Sequence, residues 1–220
     1  MQIKPLIKEF ANFLIFYFNI YLFIIFLKKK QTVKKIAVFG SGFGSNAENI
    51  CMFFACSPDV SVVLIGTNNK DSFLVNRAKK LNIPLVLFSK NELNNFNDLQ
   101  KKLVEKEVDC IVLAGFLLKI PEKMINKYSD KIINLHPSLL PKYGGKGMYG
   151  DNVHREVLRQ NEAVSGITVH LVNEKYDDGK ILFQKKCNIS SKETVSSLSK
   201  KINSLEVLFF PKIIKQFLLK

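Results

Sequence analysis

From Lys35 onward, short apolar runs alternate with segments whose apolar residues recur at helical spacing. That alternation predicts a mainly parallel sheet with helices packed on it. Lys35 to Phe39 reads as the first strand, Asn46 to Cys56 as a helix, Val60 to Gly66 as a second strand and Phe73 to Leu81 as a helix. Leu85 to Phe88 follows as a third strand, before a helix around Asn97 to Glu107. Asp109 to Ala114 and Lys131 to Leu135 are continuous apolar runs, suited to strands covered on both faces. A glycine-rich loop from Tyr143 to Gly150 leads to a helix about Val153 to Gln160. Two β-rich runs, Gly166 to Val172 and Ile181 to Ile189, are joined by a turn containing Asp177-Asp178-Gly179, and an amphipathic helix closes the chain.

These elements predict an α/β fold: a single domain with a mainly parallel twisted sheet flanked by helices, Rossmann-like in its N-terminal half, with a β-hairpin toward the C-terminal half. The 220 residues are 47% hydrophobic and 24% charged, enough for one well-filled core. No internal repeat or Pro/Ser-rich linker marks a second boundary. An extra hydrophobic helix is expected at the N-terminus, because residues 10–27 are nearly free of charge and are followed at once by Lys28, Lys29 and Lys30. Eighteen such residues reach the lower limit for a bilayer span, and the lysines after them would keep the following domain in the cytoplasm. Residues 1–34 are therefore read as an extension, either a membrane anchor or translation from upstream of the true start, and residues 35–220 as the functional domain.

Cys51, Cys56, Cys110 and Cys187 include no C-x-x-C pair and no zinc spacing, which points to reduced thiols in a cytoplasmic protein and to no metal site. The excess of 33 basic over 19 acidic residues favours anionic ligands only weakly, since a Lys/Asn/Ile/Phe-rich composition produces it without selection for nucleic acid.

Two stretches carry chemistry. Gly40-Ser41-Gly42-Phe43-Gly44-Ser45-Asn46 is a glycine-rich turn between a strand and a helix, where free N–H groups and the helix dipole favour a phosphate. It lacks the G-K-[ST] ending of a nucleoside-triphosphate loop. The second strand ends in Gly66-Thr67-Asn68-Asn69, without the acidic residue of a dinucleotide site, so a monophosphate remains. In Asn134-Leu135-His136-Pro137, an amide and an imidazole stand two residues apart after an apolar run, on one face at a strand's end. Such a pair can hold the oxygen of a tetrahedral intermediate and handle a proton. His170, on a strand, borders this site or faces solvent; His154 is placed on a surface helix, and Glu206 is explained nearly as well by a solvated helix face.

With GSGFGSN at 40–46, LAGFLLKI at 113–120, INLHPSLLPKY at 133–143, SGITVHLV at 165–172 and EKYDDGKIL at 174–182, the chain resembles the phosphoribosylglycinamide formyltransferases, folate-dependent enzymes of purine synthesis. The resemblance implies transfer of a formyl group from 10-formyltetrahydrofolate to the amine of glycinamide ribonucleotide, without metal or nucleic acid. It implies Asn134, His136 and Asp177 as catalytic residues, the carboxylate raising the imidazole's pKa. It further implies Gly44, Ser45, Asn46 and Glu206 as ribonucleotide contacts, and Leu117, Leu118, Lys119 and Ile120, with Asn134, as folate contacts. An arginine that would meet the folate is missing near residues 93–95, Asp178 stands where a glycine is common, and the 144–151 loop is longer than in familiar members. A methionyl-tRNA formyltransferase-like enzyme, or an inactive membrane-tethered nucleotide-binding protein, are the alternatives.

Overall fold

Seven strands form one sheet in the order β3-β2-β1-β4-β5-β6-β7. The structure is a computed structural model and describes residues 13–18 and 32–220. The strands are β1 (Lys34–Phe39), β2 (Val60–Thr67), β3 (Leu85–Leu87), β4 (Cys110–Leu113), β5 (Ile132–His136), β6 (Val164–Leu171) and β7 (Ile181–Asn188). The first five are parallel, and β6 and β7 add to them antiparallel. Between them run α1 (Ser45–Phe54), α2 (Phe73–Lys80), α3 (Lys90–Asn95), α4 (Asn97–Glu105), α5 (Glu122–Lys127), α6 (Asp151–Arg159) and α7 (Val195–Leu218).

Period-two alternation sorts the strand side chains into two cores. Ile36 and Val38 of β1 face one way, with Cys110, Val112, Ile133 and Leu135, against α1, α2, α6 and α7. Ala37 and Phe39 face the other way, with Ile111, Leu113 and Ile132, against Leu93, Leu99, Leu103 and Met124 of α3, α4 and α5. Each such large side chain stabilises the fold by roughly 1.5–3 kcal/mol on burial. Both faces being covered explains why β1, β4 and β5 read as unbroken apolar runs.

The strands expected from sequence are all present, shifted by a residue or two at their ends. Two short helices, α3 and α5, were not expected. The 172–180 connection between β6 and β7 is longer than a simple hairpin turn, and Asp177 within it takes a left-handed conformation, with φ 52°. Residues Val33–Lys220 form one compact unit. Of the candidate span at 10–27, only residues 13–18 are described, as helix with exposed side chains; its remainder lies outside the described residues. Among the described residues no helix is long and apolar enough to cross a membrane.

Candidate functional site

β1 pairs with β2 on one side and β4 on the other, so chain connections leave it in opposite directions. Crevices open at the carboxyl ends of strands at such a reversal. Here a cavity of about 590 Å³ lies there, walled by the 115–120 loop after β4, the end of β5, the glycine-rich 145–150 loop, the β6 end and α7.

On β5, Asn134 and His136 share the face of Ile132, and the register sets Asn134 opposite His170 of β6. Asn134 Nδ2 donates to His170 Nε2 at 3.0 Å and, more weakly, to Asp177 Oδ1 at 3.4 Å. Asp177 Oδ2 accepts from the Gly145 N–H at 2.8 Å and lies 3.5 Å from His136 Nδ1. Its other oxygen is 3.6 Å from His170 Nε2. The three groups placed 43 residues apart or less along the chain thus meet around one carboxylate.

Carbonyl oxygens only accept, which fixes two tautomers. His136 Nε2 is 2.7 Å from the Tyr143 oxygen and donates to it; His170 Nδ1 donates to the Leu171 oxygen at 2.7 Å. Burial pushes His136 below its ordinary pKa, against the upward pull of Asp177 and the Tyr143 carbonyl. Asp177 raises it as expected, but desolvation of a ring only 3% exposed is the larger effect and the net shift is downward. Burial pushes Asp177 up, but His170, His136 and the Gly145 N–H outweigh it and hold the carboxyl below its usual range. The loop after β5 is clamped by side-chain to backbone bonds: Thr168 Oγ1 donates to the Ser138 oxygen at 2.6 Å and accepts from Leu140 N at 3.0 Å.

At the other end of the cavity α1 begins. Gly44 precedes it with φ 73°, and a Cβ there would sit 2.7 Å from Leu74 Cδ1. Only glycine combines that backbone with that closeness. Asn46 lines the cavity, while Gly44 and Ser45 are not part of its wall. Asn46 Nδ2 donates to Glu206 Oε2 at 2.8 Å, and Asn46 Oδ1 is buried without a partner. Burial raises the Glu206 pKa against that hydrogen bond. Glu206 is therefore not on a solvated helix face. Leu117, Leu118, Lys119 and Ile120 all line the cavity.

Of three further features, the sequence left one open between site and solvent, put one on a surface helix and gave no sign of the third. His170 is buried, at 2% exposure, and is bonded into the cluster. His154 is not on a surface: it is 3% exposed, lines the cavity and has an unpartnered Nδ1. Ser41 joins the two halves of the site, donating from Oγ to Asn68 Oδ1 at 2.6 Å and accepting from Leu117 N at 3.0 Å. Asn68 thus occupies, with a structural bond, the strand end where a dinucleotide site has its acid. Among the described residues no group of His, Cys, Asp and Glu is placed to hold a metal ion.

A mainly parallel α/β sheet whose switch-point cavity has a helix start at one end, and an amide, imidazole and carboxylate at the other, defines the class: an α/β fold with a polar site at the carboxyl ends of its strands. A formyl transferase family profile matches residues 34–214, and the chain belongs to that family. It is 38% identical over 177 residues to the chloroplastic phosphoribosylglycinamide formyltransferase of Arabidopsis thaliana, a match covering 77% of this chain and 60% of that protein. With the phosphoribosylglycinamide formyltransferase of Bacillus subtilis it shares 35% identity over 191 residues, 84% of this chain and 95% of that one. The crystal structure of the phosphoribosylglycinamide formyltransferase from Anaplasma phagocytophilum superposes with a TM-score of 0.78 at 29% identity, over 86% of this chain and 88% of that one.

Proposed function

We propose that this chain transfers the formyl group of 10-formyltetrahydrofolate to the amine of N1-(5-phospho-D-ribosyl)glycinamide, a step of purine synthesis. The observation that carries the reading is the convergence of Asp177 on His136, Asn134 and His170 in one cavity with the start of α1. The N–H groups of Gly44, Ser45 and Asn46 bind the ribonucleotide phosphate, and Glu206, tied to Asn46, meets the sugar–glycinamide part. The backbone of Leu117 to Ile120 supports the pterin on the apolar wall of the cavity.

As the amine adds to the formyl carbon, its oxygen becomes negative. The Nε2–H that Tyr143 holds in the free site passes to that oxygen, and Asn134 gives up its long 3.4 Å contact to Asp177 to aim a second N–H at it. The growing negative charge and Asp177 together favour the imidazolium of His136, offsetting the burial that keeps it neutral at rest. His136 then serves proton transfer to the leaving nitrogen.

The catalytic domain begins at Val33, two residues before the boundary expected from the sequence, and runs to Lys220; the residues before it form an extension, and the domain's setting is the cytoplasm. Turnover of the purified full chain with 10-formyltetrahydrofolate and glycinamide ribonucleotide tests the reading. Formation of formylated ribonucleotide and tetrahydrofolate supports it; turnover with methionyl-tRNA instead, or binding without turnover, rejects it.

A further inference from the structure

Helix α7 runs for 24 residues with Pro211 inside it. Proline has no N–H to offer the carbonyl four residues back, and its ring crowds that carbonyl outward. The group deprived of its helical donor is the Val207 carbonyl, next in the chain to Glu206, which lines the cavity. A helix opens and bends most readily at such a gap in its ladder. Core packing gives this turn little support of its own. Leu198, Ile202, Phe210, Ile213 and Ile214 bury one face of α7, whereas Val207 and Leu208 are 42% and 50% exposed.

The missing donor comes from α1. Asn49 Nδ2 donates to the Val207 oxygen at 2.9 Å. Three residues earlier on the same helix, Asn46 Nδ2 donates to Glu206 Oε2 at 2.8 Å. Residues three apart lie on one face of a helix, so two amides of α1 grip two consecutive residues of α7. Asn46 lines the cavity and Asn49 does not, which leaves Asn49 no direct part in holding a ligand.

We propose that Asn49 is a positioning residue: by supplying the hydrogen bond that Pro211 cannot, it closes the turn after Glu206 and fixes that carboxylate at the distance from the start of α1 that the ribonucleotide spans. This rests on the ribonucleotide reading above. With the phosphate on the first turn of α1 and the sugar–glycinamide part on Glu206, the spacing of the two helices is part of the fit. The catalytic cluster hangs from β5, β6 and the 172–180 connection, none of which Asn49 bonds to. Asn49 therefore acts on binding of the ribonucleotide and leaves the chemical step alone.

The test is a cycle of full-length variants, Asn49→Ala made in wild type and in Pro211→Ala. Calorimetric Kd for the ribonucleotide, kcat and the KM for the folate are measured in each, with melting temperatures to establish folding. An alanine at 211 returns an N–H to the Val207 carbonyl, so the turn closes without help. In wild type, Asn49→Ala is expected to weaken ribonucleotide binding about fivefold, the size of one neutral hydrogen bond. In the Pro211→Ala background the same change is expected to cost less than about twofold, because the two sites act on one bond. Throughout, kcat and the folate KM stay within about twofold of the parent. An equal loss in both backgrounds, as a packing contribution gives, overturns the proposal. So does unchanged binding in wild-type Asn49→Ala, or a fall in kcat as large as the loss of binding. If Pro211→Ala does not fold, the split between binding and kcat in Asn49→Ala decides alone. A wild type that neither binds nor turns over the ribonucleotide overturns instead the reading of the substrate, and this role with it.

Discussion

Replacing Asp177 by Asn removes one charge from the centre of the cluster while keeping the shape. The asparagine carbonyl can still accept from the Gly145 N–H, now 2.8 Å from the carboxylate, so the loop stays attached. What is lost is the partner of an imidazolium that forms during the reaction. Unit charges at the 3.5 Å separation of His136 Nδ1 and Asp177 Oδ2 interact by about 5 kcal/mol at an effective dielectric of 20. The amide dipole retains part of that attraction, leaving about 3 kcal/mol, which is on the order of a hundredfold in rate. Because the charge appears only as the oxyanion forms, kcat falls and the KM for the ribonucleotide changes little. Steady-state formyl transfer under saturating folate, with calorimetric binding of the ribonucleotide, measures both. An Asp177→Asn enzyme within about threefold of wild-type kcat would refute the electrostatic reasoning.

Gly44→Ala places a side chain at φ 73° and a Cβ 2.7 Å from Leu74 Cδ1. The left-handed backbone costs about 1–2 kcal/mol, and the displaced helix start should raise the KM for the ribonucleotide more than it lowers kcat; an unchanged KM would remove α1 from phosphate binding. Acid should destabilise the fold early. His136 and His154 have folded-state pKa values below 6.5, so the unfolded chain binds protons that the folded one refuses, and stability falls as pH drops through about 6.5. Melting temperatures from pH 8 to pH 5 check this; a flat profile contradicts it, and His154→Phe should reduce the slope.

The sheet was legible because its strands are covered on both faces, so Val, Ile and Leu runs such as Cys110–Leu113 announce themselves without alternation. The same covering hid His170. On a half-exposed strand its place would have been undecided, but β6 is buried from Ser165 to Leu171, and the imidazole there finds partners in Asn134 and the Leu171 carbonyl. His154 was misread for a related reason: Val153 and Val157 mark the inner face of α6, and His154 sits beside them on that face, where its polarity suggested solvent. Helix α3 had left a signal in Ser89 and Glu92, which form a reciprocal capping box, yet its six residues are too short for a helical period to show. Asn134, His136 and Asp177 could be picked out as residues, but the carboxylate's arrival depends on the 172–180 connection and on the Gly145 N–H that holds it, and no local pattern encodes either.

The central claim is that His136 does chemistry and does not merely shape the turn. The single-turnover rate of formyl transfer by His136→Ala, at saturating concentrations of both substrates, measures that directly. The account predicts a rate lower than wild type by a factor on the order of hundreds or more. A rate near that of wild type would contradict it.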